Sequence, residues 1–172
     1  MSRGSTGGDV LLQPGDCYFG GAHTRVRTLL GSCVAIAMWH PQKRIGGLSH
    51  CLLPQRDTRV CVAPDGRFVD ESLLWLIREA VRADTNPADY RIKVFGGGDM
   101  FASLRGQGRA RIGRMNSTMA VGVICGLGLT IAARDVGGCG HRSLIFSIAT
   151  GHVWVRKGSS QTPVQGGQGV AA

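Results

Sequence analysis

The chain has 172 residues, a length that suits one domain, and its 43% hydrophobic content excludes a mainly disordered protein. Twenty Lys and Arg against eleven Asp and Glu leave a net charge of +9, which invites a nucleic acid or an acidic protein as partner. No apolar run approaches the roughly 20 residues of a membrane helix, and the opening MSRGSTGGDV lacks a signal-peptide core, so the expectation is a soluble, cytoplasmic protein without membrane insertion.

Residues 1–8 are mostly small and polar and read as a loose tail, residues 9–157 as a single domain, and residues 158–172 (GSSQTPVQGGQGVAA) as a second tail. Val10–Leu12 opens the domain as a short apolar segment. The run CVAIAMW, from Cys33 to Trp39, is continuous and short enough for a buried strand, and Leu48–Leu53 is a second. Phe68 to Ala83 carries Leu73, Leu74, Ile77, Ala80 and Val81 at helical spacing, with Asp70 and Glu71 near its start. Ile92 and Val94 alternate with polar neighbours in a strand that Gly96-Gly97-Gly98 ends.

The run LRGQGRARIGR then places Arg105, Arg109, Arg111 and Arg114 together with no acid among them. No aromatic residue interleaves with it for base stacking, so a solvated loop is the simpler reading and no nucleic-acid partner is expected. Asn116, Ser117 and Thr118 offer capping oxygens for a helix through Val123 and Ile124, stopped by Gly126 and Gly128. Leu129–Ala133, Arg142–Ile148 and His152–Arg156 follow as strands, the last two joined in a hairpin at Thr150-Gly151. Few helices among many strands point to an α+β fold of mixed α/β layers, not a doubly wound parallel sheet.

The six cysteines include no C-x-x-C pair, so no metal site is expected, and without an export signal a disulfide framework is disfavoured. Most read as small buried hydrophobes. Cys33 differs through its relation to His50. Pro41 suits a turn over His40-Pro41-Gln42-Lys43, and strands folded symmetrically about Pro41-Gln42 set Cys33 directly opposite His50. Opposed residues of an antiparallel pair share a face with Cα atoms about 4.5–5.5 Å apart, so thiol and imidazole can meet. A slip of one residue, such as a bulge at Gly46-Gly47, brings Cys51 there instead. Gly31 and Ser32 permit a sharp turn whose free N–H groups suit an oxyanion. From spacing alone, a Cys opening a buried strand and a core His remain the plainer account.

Six segments carry more: TLLGSCVA (28–35), GGLSHCLLP (46–54), KVFGGGDMF (93–101), IGRMN (112–116), ARDVGG (133–138) and ATGHVWVRK (149–157). In this order and spacing the chain resembles the chemoreceptor glutamine deamidase family, CheD. The resemblance implies a catalytic Cys33, His50 and Thr28, with Arg27 and Ser32 as the neighbours that compete for the threonine's role. It implies hydrolysis of glutamine side chains to glutamate on methyl-accepting chemotaxis receptors through a thioester, no cofactor, and in some bacteria a CheC-type phosphatase as partner. It implies a fold similar to the catalytic domain of cytotoxic necrotising factor toxins, with mixed sheets packed together and helices outside. Phe95–Phe101 and Arg134–Gly138 are expected to line or support the site, and Asp70 to cap a helix and take no part in catalysis. Three rivals stand beside this reading: a non-catalytic chemotaxis adaptor of the same fold, a Cys–His hydrolase for another amide or thioester, and a basic nucleic-acid binder.

Overall fold

A computed structural model describes residues 2–3, 8–57, 63–100 and 109–158. The first sheet takes six strands: β1 (Ser2–Arg3), β3 (Cys17–Gly21), β5 (Val34–His40), β6 (Ile45–Cys51), β7 (Arg91–Gly96) and β8 (Ile131–Val136). Their order is β1-β3-β6-β5-β7-β8, with parallel pairs at both edges and antiparallel pairs between. The second sheet, in the order β10-β9-β4-β2, is built from β2 (Gly8–Leu11), β4 (Thr24–Leu30), β9 (His141–Ser147) and β10 (Val153–Gly158). Helices α1 (Val69–Arg82) and α2 (Arg109–Gly126) complete the fold, which is α+β. Among the described residues no helix is long and apolar enough to cross a membrane.

Two apolar layers follow from the strand patterns. Every residue of β5 is buried, because Val34, Ile36 and Met38 face a core shared with α1 and α2 while Ala35, Ala37 and Trp39 face the second sheet. That is why its sequence is continuously apolar where a one-sided strand would alternate. Strand β4 does alternate: Thr24, Val26, Thr28 and Leu30 point inward, and Arg25, Arg27 and Leu29 outward. Tyr18, Leu48, Leu144 and Phe146 fill the layer between the sheets. Across that layer the indole of Trp39 donates to the Ile148 carbonyl at 2.8 Å.

The β5–β6 hairpin departs from the expected register. His40 pairs with Ile45, so residues 41–44 form a four-residue loop, and Ala35, not Cys33, lies opposite His50. A two-residue hairpin turn of the favoured types needs positive φ at its first central position, which the proline ring of Pro41 forbids. The loop therefore widens and closes through Arg44, at φ 49°, whose N–H donates to the His40 carbonyl at 2.9 Å. The shift is two residues, an even number, so the side chains keep the faces assigned to them. Gly46 and Gly47 introduce no bulge. A side chain at Gly46 would strike the Met38 backbone, and one at Gly47 the Tyr18 carbonyl and Leu76.

Helix α1 matches its apolar spacing, but Phe68 occupies the N-cap and Asp70 sits in the first turn, where its carboxylate accepts from the Glu71 N–H at 2.9 Å. Asp70 thus satisfies a first-turn donor and is not the cap. Helix α2 begins at Arg109, so Asn116, Ser117 and Thr118 lie inside the helix and do not cap it. The end of the Arg105–Arg114 run is accordingly helical and not a loop, and its residues up to 108 lie outside the described ones, as does Phe101. Strands β3 and β4 were not expected. Glycines and short runs in CYFGG hide the first, and arginines on the exposed face of TRVRTLL hide the second.

Candidate active site

Thr28 lies on the inner face of the second sheet and reaches across to His50 on the first. Its Oγ1 is 2.7 Å from His50 Nδ1 and 3.0 Å from the Leu12 carbonyl oxygen. A hydroxyl has one proton, and the Leu12 carbonyl can only accept. The hydroxyl proton therefore goes to Leu12, and Oγ1 accepts from Nδ1–H. This fixes the neutral tautomer with Nε2 bare. Nε2 is buried and has no hydrogen-bond partner. Burial holds the His50 pKa below the usual imidazole value, opposed by the Leu12 carbonyl and the Asp16 carboxylate.

Cys33 immediately precedes β5 and packs with Val10 against the inter-sheet core, on the face that carries His50. It stands two positions before Ala35, the strand partner of His50, and no hydrogen bond joins its thiol to Nε2. The thiol is half-buried, and burial raises its pKa, with its own backbone N–H acting in the opposite direction. Burial thus favours the neutral form of both the thiol and the imidazole. Cys33 alkylation by iodoacetamide, followed by mapping of the modified peptide, is expected to climb with pH to a midpoint above that of a solvated cysteine.

The turn before Cys33 is held by its carbonyls. Gly98 N–H donates to Gly31 O at 2.9 Å, Asn116 Nδ2 to Ser32 O at 3.1 Å, and Gly97 N–H to Cys33 O at 2.8 Å. The N–H groups of Ser32 and Cys33 donate to no backbone carbonyl among the described residues. Gly97 adopts φ 66°, and a Cβ there would meet the Gly113 carbonyl at 2.6 Å, so the glycine run permits a close approach of β7 and α2.

Asn116 was read as a cap, and its place in the site was missed. It is fully buried, and its Nδ2 also donates to Leu52 O at 2.8 Å. One amide therefore spans the residue before Cys33 and the strand end two residues beyond His50. Its position within IGRMN, shortly after the glycine run, was the available signal. Asn116→Ala, which leaves two part-buried carbonyls without this donor, is expected to lower unfolding free energy by about 2 kcal/mol, measurable by urea denaturation.

The other candidates lie elsewhere. Arg27 points to the outer face, where it pairs with Asp9 at 2.7 Å. Cys51 projects to the helical side, 2.9 Å from Ser72 Oγ, and burial pushes its pKa up to about 11. Within Arg134–Gly138, Asp135 Oδ1 accepts from buried Arg142 at 3.1 Å and the Gly137 carbonyl also accepts from that guanidinium, while Asp99 N–H donates to Gly138 O at 2.7 Å. This loop buttresses the Gly98 end of the turn. Among the described residues no cluster of His, Cys, Asp and Glu suits a metal ion.

Fold and site together define an α+β protein with a hydroxyl-anchored imidazole and a half-buried thiol on one face of its inter-sheet layer. A family model described as CheD chemotactic sensory transduction matches residues 52–157, and the chain belongs to the CheD family. It is 44% identical over 149 residues to a probable chemoreceptor glutamine deamidase CheD of Pseudomonas syringae pv. syringae, covering 86% of this chain and 84% of that one. A relative of the same description from Dechloromonas aromatica is 38% identical over 147 residues, covering 86% of each chain. Among solved structures, the Bacillus licheniformis hypothetical protein YfiH aligns with a TM-score of 0.44 at 12% identity, over 72% of this chain and 51% of that one.

Proposed function

We propose that this chain deamidates glutamine side chains of chemotaxis receptors, with Cys33 as nucleophile, His50 as general base and acid, and Thr28 as the group that orients the imidazole. The observation that carries the assignment is the 2.7 Å contact between Thr28 Oγ1 and His50 Nδ1, which leaves a bare Nε2 on the thiol's side of the sheet. The substrate class rests on the names of the relatives, which are described as chemoreceptor glutamine deamidases.

Nε2 takes the Cys33 proton as Sγ attacks the carboxamide carbon. The new oxyanion is met by the N–H groups of Ser32 and Cys33, whose turn is pinned through its carbonyls and needs no reorganisation. The imidazolium returns its proton to the departing nitrogen, ammonia leaves, and a thioester remains. Neutral His50 then removes a proton from water, the hydroxide attacks the thioester, and Sγ departs, taking that proton back from the imidazolium as glutamate forms. Every step is proton transfer or acyl transfer, and the residues named supply all of it.

The test is incubation of a receptor cytoplasmic fragment with the chain, with ammonia release and a mass gain of about one dalton per modified site as readouts. Ammonia release by wild type that persists unchanged in Cys33→Ala rejects the nucleophile. No release by wild type rejects the activity and favours the adaptor reading. The family resemblance adds a CheC-type phosphatase as partner, for which co-sedimentation of the two purified proteins is the check.

A further inference from the structure

The outer face of the second sheet plays no part in the chemistry above, yet it carries three of the most exposed large apolar residues: Leu11, Leu29 and Trp154, at 63%, 58% and 53%. The register aligns them. Leu11 pairs with Arg27, Arg27 with Ile145, and Ile145 with Trp154, giving one straight row across all four strands. The adjacent row is Leu29, Ser143 and Arg156. Strands lie about 4.8 Å apart, so the first row runs about 14 Å, the length of a helix of nine or ten residues. The rows border a groove of about 550 Å³.

Charge selects the occupant. Arg25, Arg27 and Arg156 share this face with one acid, Asp9, which already pairs with both Arg25 and Arg27. A second copy would bring like charges together. The segment that follows β10, SSQTPVQGGQGVAA, offers only two valines as large apolar side chains, too few to cover the patch. We infer that this face docks an acidic amphipathic helix of another protein, its apolar stripe on Leu11, Leu29 and Trp154 and its carboxylates on the flanking arginines. This rests on the deamidase reading in one respect: a receptor helix whose glutamines are converted to glutamates gains the required charge, and the face, which carries neither Cys33 nor His50, then serves as an exosite.

The test uses the full chain and a soluble receptor cytoplasmic fragment, with binding measured by titration calorimetry at two salt concentrations. Leu29→Glu/Trp154→Glu is expected to weaken binding at least thirtyfold while Cys33 alkylation proceeds at the wild-type rate, and Arg156→Glu to weaken it with a shallower salt dependence. Unchanged binding in the double variant overturns the proposal, as does failure of the wild type to bind. A wild-type dimer in sedimentation that the double variant dissolves overturns it in favour of self-association. Docking through this face without ammonia release supports the exosite and sinks the deamidase reading alone, whereas equal ammonia turnover by variant and wild type at low fragment concentration sinks the exosite alone.

Discussion

Cys33→Ala is expected to lower ammonia release from receptor fragments by at least about a thousandfold, with little loss of stability. A carboxamide is a poor electrophile, and the proposed route depends on a covalent thioester that alanine cannot form. Cys33 is half-buried at a strand end, so its truncation opens no closed cavity in either apolar layer. Cys33→Ser sharpens the result. Serine preserves size and polarity, but its hydroxyl is far less acidic than a thiol, and a single neutral imidazole must carry the whole cost of deprotonation. Trapping the thioester on wild type with hydroxylamine, and finding no adduct in either variant, completes the test.

His50→Gln is expected to cost a comparable factor, about a thousandfold in kcat, with KM nearly unchanged, because the proposed route uses the imidazole on protons in both half-reactions. Thr28→Val should cost less, roughly ten- to a hundredfold. Valine keeps the volume but removes the acceptor for Nδ1–H, so the ring loses its preference for the tautomer with Nε2 bare. The pH dependence separates the two. Burial holds the His50 pKa below the usual value, so the imidazole stays neutral and basic down to lower pH than a solvated histidine, and activity falls only as pH drops below about 6.5. With the Thr28 anchor gone, alkylation of Cys33 changes little while kcat drops, which distinguishes ring orientation from damage to the nucleophile turn.

Much of this was legible in the residues. The continuous run from Cys33 to Trp39 announced a buried strand, and β5 is one of the two middle strands of its sheet, covered on both faces. The even displacement of the hairpin explains why a wrong register still gave the right face: Pro41 lengthens the loop by two residues, and two is the period of a strand. Burial, by contrast, has no local signature. Spacing suggested only that thiol and imidazole share a face, whereas burial raises the Cys33 pKa and lowers that of His50. Asn116 escaped for a related reason. An Asn followed by Ser and Thr is a strong cap signal, and only tertiary contacts show that its amide faces two distant carbonyls from within a helix.

Thr28 belongs to one sheet, His50 to the other, Cys33 to the turn that enters β5, and Asn116 to the helical layer. On the proposed route, turnover therefore requires the complete assembly and not any fragment. On gradual heating, catalysis should fade while circular dichroism still reports intact strands and helices, because a small slide of one layer over the next separates the partners before any ladder melts. Such a loss is reversible on cooling, and it makes ammonia output a more sensitive gauge of interlayer alignment than any spectroscopic measure of secondary structure.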